Sequence, residues 1–148
     1  MNAKKIVFPT DFSKCSDAGL SYAETLARDS DALLLIVHVE EPAAAYGGGE
    51  MYYGILEPDD AELRRMLHDI RPANPEVRFE HRLLMGDPAE TIVELAQQES
   101  ADLIVMSTHG RTGFKRLLMG SVAETVVRRA PCPVMVFKPC REAVVPAT

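Results

Sequence analysis

The chain has 148 residues, of which 47% are hydrophobic and 26% are charged, and its formal net charge is −6. This length suits a single domain with a substantial core, so we expect one domain over residues 1–148. The acidic balance argues against a nucleic-acid partner, because affinity for the phosphate backbone comes from clustered Lys and Arg. No apolar run approaches the roughly 18 residues of a membrane span, so we expect no membrane partner either.

The N-terminal stretch MNAKKIVFPTDF has a short apolar patch that leads directly into polar residues, without the cleavage site of an export signal. We therefore expect a cytoplasmic protein. The three cysteines, Cys15, Cys132 and Cys140, are odd in number and lack C-x-x-C spacing, and the four histidines are scattered singly. This pattern predicts reduced thiols and no structural metal.

Five runs of strand length, rich in β-branched residues, occur along the chain at residues 4–9, 32–39, 77–84, 102–108 and 133–138. The second, fourth and fifth runs are almost continuously apolar, as strands covered on both faces are. The third run alternates apolar and polar residues, which predicts an edge strand. Together the five runs favour a mostly parallel sheet.

Helical stretches separate these runs. The clearest is DPAETIVELAQQES, in which Asp87 can cap the helix, Pro88 occupies the first helical position and Glu90 lies in the first turn. Alternating strands and helices predict an α/β domain with a doubly wound sheet. Ligands of such sheets bind beyond the carboxyl ends of the strands, where the strand order reverses. The other helical stretches cover about residues 16–28, 59–70 and 121–129.

Residues 40–58 form a long connection that contains a Gly triplet, three tyrosines and no helical or strand period. Loops of this length in compact domains are commonly functional or mobile, so we predict a mobile insertion. Its role is left open between a tolerated surface loop and a lid or partner contact. The tail at residues 141–148 is predicted to be frayed.

Thr10 and Asp11 follow Pro9 and so lie at the carboxyl end of the first predicted strand. A carboxylate there can accept hydrogen bonds from ribose hydroxyls or a base edge, or can help to hold a metal ion on a phosphate. Alternatively, Asp11 and Ser13 bind the amides of a turn and a helix N-terminus, which is a common use of Asp and Ser. Local sequence alone favours the second interpretation.

The stretch STHGRTGFKRLLMGS follows the fourth predicted strand and leads into a helix. Gly110 and Gly113 allow backbone amides to approach a ligand closely, and three nearby cations, Arg111, Lys115 and Arg116, add local positive charge. The stretch has neither the G-K-[ST] of a Walker loop nor the G-x-G-x-x-G of a dinucleotide fold.

The helix that follows begins near Gly120 and Ser121. A helix N-terminus presents unpaired N–H groups and the positive end of the helix dipole, which together suit a phosphate. Ser121 and Glu124 also form S-x-x-E, which predicts a capping box that needs no ligand. Both interpretations can hold at once.

The arrangement resembles the universal stress protein family in three segments, IVFPTDFSKCSDAGLSYAETLA, LMGDPAETIVELAQQESADLIVMSTHGRTG and LLMGSVAETVVRRAPCPVMVFK. The likeness covers nearly the whole chain apart from residues 40–58 and the tail. It implies a single doubly wound α/β domain with a five-stranded parallel sheet in the order 3-2-1-4-5 and helices on both faces. It also implies a homodimer and, in one subgroup, ATP bound at the strand ends.

That subgroup is marked by G-x-x-G, nine further residues and G-[ST]. The matching positions here are Ser107, Gly110, Gly120 and Ser121, so serine replaces the first glycine. If that position requires a positive φ or a close approach to ribose, the Cβ of Ser107 has a cost. The resemblance also implies which residues contact each part of the nucleotide. Adenine and ribose would be flanked by Pro9, Thr10, Asp11 and Val39, and the sugar side by Met106 and Ser107. The phosphates would be contacted by Gly110, Arg111, Gly120, Ser121 and Val122.

We therefore expect an ATP-binding stress-response regulator, with Mg²⁺ on the nucleotide, whose occupancy alters its contacts with an unidentified protein partner. The alternative is a nucleotide-free dimeric adaptor. We assign no catalytic residue. We expect at most slow ATP hydrolysis or phosphotransfer, in which Asp11 would hold magnesium or orient water. The apolar last strand would lie at a sheet edge and exposed edges associate, so we expect the dimer to form through Val134, Met135, Val136 and Phe137.

Overall fold

The computed structural model of the chain describes residues 3–42, 60–108 and 120–138. Most of the predicted insertion at residues 40–58 and all of the predicted tail at 141–148 lie outside the described residues.

The described elements alternate strictly between strand and helix, as the sequence predicts. They are β1 (Lys5–Pro9), α1 (Lys14–Ser30), β2 (Leu33–Glu40), α2 (Asp60–His68), β3 (Phe79–Met85), α3 (Pro88–Gln98), β4 (Leu103–Ser107), α4 (Ser121–Arg129) and β5 (Val134–Phe137).

The five strands form one parallel sheet in the order β3-β2-β1-β4-β5. The predicted fold class and strand order are therefore confirmed, and β3 is an edge strand as its alternating pattern indicates. The order reverses between β1 and β4, because the chain adds β2 and β3 on one side of β1 and then β4 and β5 on the other. This reversal leaves a crevice at the carboxyl ends of β1 and β4.

The core has two layers, one on each face of the sheet. Val7 and Val37 pack with residues of α3 and α4 on one face, whereas Phe8 and Ile36 pack with α1 on the other. All four side chains are at most 1% exposed. Successive strand residues point to opposite faces, so a continuously apolar strand is what a sheet covered on both sides requires.

Helices α1 and α3 begin with side-chain caps. The Oγ of Ser13 accepts a hydrogen bond from the Ser16 amide at 3.2 Å, and Oδ2 of Asp87 accepts one from the Glu90 amide at 3.0 Å. Pro88 lies in the first turn of α3, where its missing N–H costs nothing. The predicted start of α3 is confirmed.

Helix α4 begins differently from the prediction. Its N-cap is Gly120, which has no side chain to accept a capping hydrogen bond, so the predicted Ser121–Glu124 capping box is wrong. Gly120 has an extended backbone, and its carbonyl already accepts the first helical hydrogen bond, from the Glu124 amide at 3.0 Å. Ser121 is therefore the first helical residue, one position too late for its hydroxyl to act as a cap.

An ion-pair cluster ties the start of β1 to α3 and β3. Lys5 Nζ lies 2.9 Å from Oε2 of Glu99, and Arg82 contacts the other oxygen of that carboxylate at 3.2 Å. The hydrogen bond from Lys5, and then the positive charges of Lys5 and Arg82, lower the pKa of Glu99 against the opposing effect of burial. The contacts of Glu99 with Lys5 and Arg82 therefore stabilise the fold while the carboxyl group of Glu99 is ionised.

None of the helices in the described ranges combines the length and the apolarity that crossing a bilayer requires.

Candidate functional site

A cleft of about 450 Å³ lies at the carboxyl end of the sheet, where the strand order reverses. The ends of β1, β2 and β4 and the first turns of α3 and α4 line it. Nine of the eleven residues predicted for the site lie around this cleft, namely Pro9, Thr10, Asp11, Val39, Met106, Ser107, Gly120, Ser121 and Val122.

The other two predicted residues, Gly110 and Arg111, lie outside the described residues. The nine are brought together from four separate parts of the chain because parallel strands end at the same edge of a sheet. Sequence reasoning missed further lining residues, which are Ser16, His38, Glu40, Glu41, Pro88, Ile92, Thr108 and Ala123.

Some of the missed residues carried a signal in the sequence. His38 is a polar residue near the end of an otherwise apolar strand run, and it is buried with 3% exposure. Pro88 marks the start of a helix, and the reversal of the sheet brings that start to the cleft. No local pattern indicates that Ile92, one turn further along α3, lies in the cleft wall.

Asp11 takes part in the turn that precedes α1. Its Oδ1 accepts hydrogen bonds from the Ser13 amide at 3.0 Å and from the Ser16 hydroxyl at 2.8 Å. The turn interpretation of Asp11 and Ser13 is thus correct, and Asp11 nevertheless lines the cleft. These two bonds fix the orientation of the carboxylate at the cleft wall.

The loop between β1 and α1 is held in a sparsely populated backbone conformation. Phe12 has a φ of 65°, in the left-handed region that bulky residues rarely adopt. Its amide donates to Oγ1 of Thr10 at 3.1 Å, and its ring lies 4.3 Å from the imidazole of His38, centroid to centroid. The amide of Thr10 in turn donates to the carbonyl of Val37 at 2.8 Å. The β1–α1 loop therefore packs against the end of β2.

Helix α4 points its N-terminus into the cleft. The amide of Gly120 donates to the carbonyl of Thr108 at 2.6 Å, which places the first turn of the helix beside the end of β4. The first-turn amides of Ser121, Val122 and Ala123 have no acceptor within the helix, and the N-cap, Gly120, has no side chain to accept from them. This end suits an anion, because unpaired N–H groups and the helix dipole act together.

The described lining of the cleft is electrostatically asymmetric. The carboxyl groups of Asp11, Glu40 and Glu41 lie on the β1 and β2 side, and the uncapped N-terminus of α4 lies on the β4 side. A ligand with hydrogen-bond donors at one end and negative charge at the other matches this arrangement.

Ser107, which the sequence resemblance aligns with the first glycine of a nucleotide motif, has no backbone strain. It is the last residue of β4, its register partner is Phe137 of β5, and it is absent from the positive-φ residues of the described ranges. Because the backbone at this position is not left-handed, it does not require glycine, and serine has no backbone cost there.

Within the described ranges, no cluster of three or more His, Cys, Asp or Glu side chains is placed to hold a metal ion. A divalent ion bound by one carboxylate of the described lining, such as that of Asp11, would need further ligands, and the phosphates of a nucleotide can supply them.

A family model described as the Universal stress protein family matches residues 2–138. The chain belongs to the universal stress protein family. Universal stress protein MJ0531 of Methanocaldococcus jannaschii is 38% identical over 142 residues, which cover 91% of this chain and 82% of that protein.

Solved structures of the family share the fold. That of the M. jannaschii protein MJ0577 has a TM-score of 0.77 and 26% identity, and the match covers 95% of this chain and 99% of that one. A universal stress protein in complex with cAMP has a TM-score of 0.66 and 29% identity, with 92% and 97% coverage.

Proposed function

We propose that this universal stress protein binds an adenine nucleotide in the cleft, with ATP as the ligand, and that occupancy alters its contacts with partner proteins. The observation that carries the proposal is the uncapped N-terminus of α4, which lies across the cleft from the polar ends of β1 and β2. The family member in complex with cAMP supports a nucleotide as the class of ligand.

The size and lining of the cleft suit such a ligand. Its volume of about 450 Å³ falls within the range of small-molecule sites, roughly 300–1,000 Å³. Pro9, Val39, Ile92 and Met106 give it apolar walls that can cover the faces of a base. The carboxylate of Asp11, held by two hydrogen bonds, is placed to accept from a base edge or from ribose hydroxyls.

The phosphates would lie at the first turn of α4. The amides of Ser121, Val122 and Ala123 have no acceptor within the helix, and phosphate oxygens are suitable ones. Sequence resemblance adds Gly110 and Arg111 to this end of the site. With Asp11 as a protein ligand, Mg²⁺ would complete its shell with phosphate oxygens and water, as it commonly does.

We propose binding with at most slow turnover. The histidine of the described lining, His38, is held at both ring nitrogens, by the carbonyl of Thr10 and by the carboxyl group of Glu40. A general base must reach the proton that it abstracts, and these contacts direct both nitrogens away from that task. Bound nucleotide would then act as a signal.

The second candidate is the nucleotide-free adaptor, which the edge of the sheet favours. Met135 and Val136 of β5 are 38% and 37% exposed, so an apolar surface is available for association. We propose this edge as the site of a homodimer in either case, because a two-fold contact between edge strands would cover it.

Mass spectrometry of small molecules released from freshly purified protein tests the leading proposal. We expect ATP or its hydrolysis product in the released fraction. Protein that carries Gly120→Val, with a bulky residue at the phosphate end, should release much less. Arg128→Val, in the exposed last turn of the same helix, is the matched control and should release as much as the wild type. Equal release from both variants would contradict the site.

A further inference from the structure

The hydrogen-bond ladder between β1 and β2 stops short of the cleft. In a parallel sheet every second residue of a strand bonds to the same neighbouring strand. The carbonyl of Val37 accepts from the amide of Thr10 at 2.8 Å, so the next residue of β2 that faces β1 is Val39. A continued ladder would join the amide of Val39 to the carbonyl of Thr10, and its carbonyl to the amide of Phe12.

Both of these partners on the β1 side bind elsewhere. The carbonyl oxygen of Thr10 lies 2.8 Å from Nδ1 of His38, and the amide of Phe12 donates to Oγ1 of Thr10 at 3.1 Å. Among the hydrogen bonds of the described ranges, none joins Val39 to either group. The N–H and C=O of Val39 are therefore left open towards the cleft, which this residue lines.

The imidazole of His38 is fixed in the position that takes the Thr10 carbonyl. A carbonyl oxygen only accepts, so Nδ1 carries the hydrogen of this bond. The ring is buried, its Nε2 lies 2.9 Å from Oε2 of Glu40, and its centroid lies 4.3 Å from that of the Phe12 ring. Loss of the bond would leave a buried N–H without an acceptor, which is unfavourable. The buried imidazole therefore keeps the carbonyl away from the ladder.

The open peptide edge of Val39 matches one kind of base. The N–H and C=O of a residue in an extended strand lie on the same side of the strand, so Val39 presents a donor beside an acceptor. The Watson–Crick edge of adenine has the complementary pair, because N1 accepts and the N6 amino group donates. Hypoxanthine, the base of ITP, has the reverse pair, because its N1–H donates and its O6 accepts.

We propose that His38 is a positioning residue of the nucleotide site: by holding the carbonyl of Thr10, it keeps the peptide edge of Val39 out of the sheet and available to the base. The statement about the base rests on the function proposed above. The statement about His38, Thr10 and Val39 does not, because it concerns bonds within the protein alone.

NMR of the protein without ligand tests the statement about the protein. Scalar coupling across a hydrogen bond shows whether the amide nitrogen of Val39 is bonded to the carbonyl of Thr10. We expect no such coupling in the wild type, together with fast exchange of the Val39 amide proton. In His38→Leu the ring donor is gone, so the coupling should appear and the exchange should slow. A coupling in the wild type, or a Val39 amide that stays unbonded in His38→Leu, would overturn the proposal.

His38→Asn is the matched rescue variant. Its side-chain amide can donate to the Thr10 carbonyl from nearly the position of Nδ1, whereas leucine cannot. Both substitutions remove the contact of Nε2 with Glu40, so that loss is common to the two variants. We expect ATP affinity to fall roughly tenfold or more in His38→Leu, as for the loss of a buried hydrogen bond, and His38→Asn to restore most of it. Equal losses in the two variants would overturn the proposal.

The ratio of ATP affinity to ITP affinity separates positioning from a general loosening of the cleft. General loosening lowers both affinities together and leaves the ratio unchanged. Closure of the Val39 edge removes the contacts that distinguish the two bases, so the ratio should fall towards one in His38→Leu and persist in His38→Asn. An equal ratio in the wild type and a folded His38→Leu would overturn the proposal. No ATP binding by the wild type would instead overturn the proposed function, and NMR would still decide the role of His38 in the ladder.

Discussion

The amide of Gly120 donates a hydrogen bond to the carbonyl of Thr108 across an 11-residue connection, with the nitrogen 2.6 Å from the oxygen. This bond joins the end of β4 to the start of α4 and so sets where the uncapped N-terminus of the helix lies. Because Gly120 is the N-cap, no side chain occupies the position in which a cap would compete with a ligand.

Substitution of the two serines at helix starts should have different effects on stability. Ser13→Ala removes the cap of α1 and should lower the free energy of unfolding by about 1 kcal/mol. Ser121→Ala should change it by less than about 0.5 kcal/mol, because Ser121 is not a cap. Urea denaturation of ligand-free protein measures both. If Ser121→Ala lowers the free energy of unfolding as much as Ser13→Ala does, Ser121 acts as a cap and the capping box is present.

Replacement of Glu99 should change the pH dependence of stability. The pKa of Glu99 is lowered in the folded protein, so its contribution is present above the pKa of the unfolded chain and is lost as the pH falls through the folded value. Glu99→Gln should therefore be less stable than the wild type by about 0.5–1 kcal/mol near pH 7, and the difference should vanish in acid.

Glu94→Gln, at an exposed position of α3, the helix that ends just before Glu99, is the control for the loss of one carboxylate. Denaturation at a series of pH values compares the three proteins. The ion-pair explanation would be contradicted if Glu99→Gln and the wild type still differed by the same free energy of unfolding below about pH 3, well under the ordinary pKa of Glu.

Gly19→Ala should destabilise the protein although alanine is the better helix former. A Cβ on Gly19 of α1 would meet the ring of Phe137, which packs directly on this glycine. Overpacking of this kind costs about 1–3 kcal/mol, which exceeds the roughly 1 kcal/mol that alanine gains in helix propensity. Denaturation of Gly19→Ala, Phe137→Leu and the double variant should show that the double variant loses less than the sum. Additive losses would mean that the two residues do not contact each other.

Disruption of the β5 edge should dissociate the proposed homodimer. Met135→Glu with Val136→Glu places charge on the exposed residues of this strand, and light scattering at micromolar concentration should give the mass of a monomer. Met85→Glu adds charge to a methionine that is 60% exposed on the opposite edge strand, and it should leave the dimer intact. A monomeric wild type would remove the dimer proposal.

The elements and their order could be predicted because they depend on local patterns and on a resemblance that spans the chain. The grouping of Asp11, Met106 and Gly120 at one cleft follows from the strand order, which places the carboxyl ends together. The N-cap of α4 could not be predicted, because S-x-x-E is a local signal and the bond from Gly120 to Thr108 overrides it.

The contacts of His38 could not be predicted for a similar reason. Its bond to the carbonyl of Thr10 joins positions 28 residues apart, and nothing in the run ALLLIVHV indicates it. The predicted dimer strand illustrates the same limit. The sequence predicts one contact surface of four residues, but Val134 and Phe137 pack on the two core layers, and of the four only Met135 and Val136 are exposed.

Ser107→Gly should leave ATP affinity within about twofold of the wild type. Ser107 has an ordinary strand backbone, so glycine relieves no strain there. Binding titrations of the two proteins with Mg-ATP provide the comparison. A large gain in affinity would show that the serine side chain crowds the ligand.

The most direct test of the nucleotide site is isothermal titration calorimetry of the wild type with Mg-ATP, next to Gly120→Val and Arg128→Val. We predict saturable binding for the wild type and Arg128→Val, and a loss of at least about tenfold in affinity for Gly120→Val, because its side chain obstructs the phosphate end. Circular dichroism shows whether each variant is folded. No detectable heat from the wild type at millimolar Mg-ATP, together with no co-purified nucleotide, would contradict the account and leave the nucleotide-free adaptor.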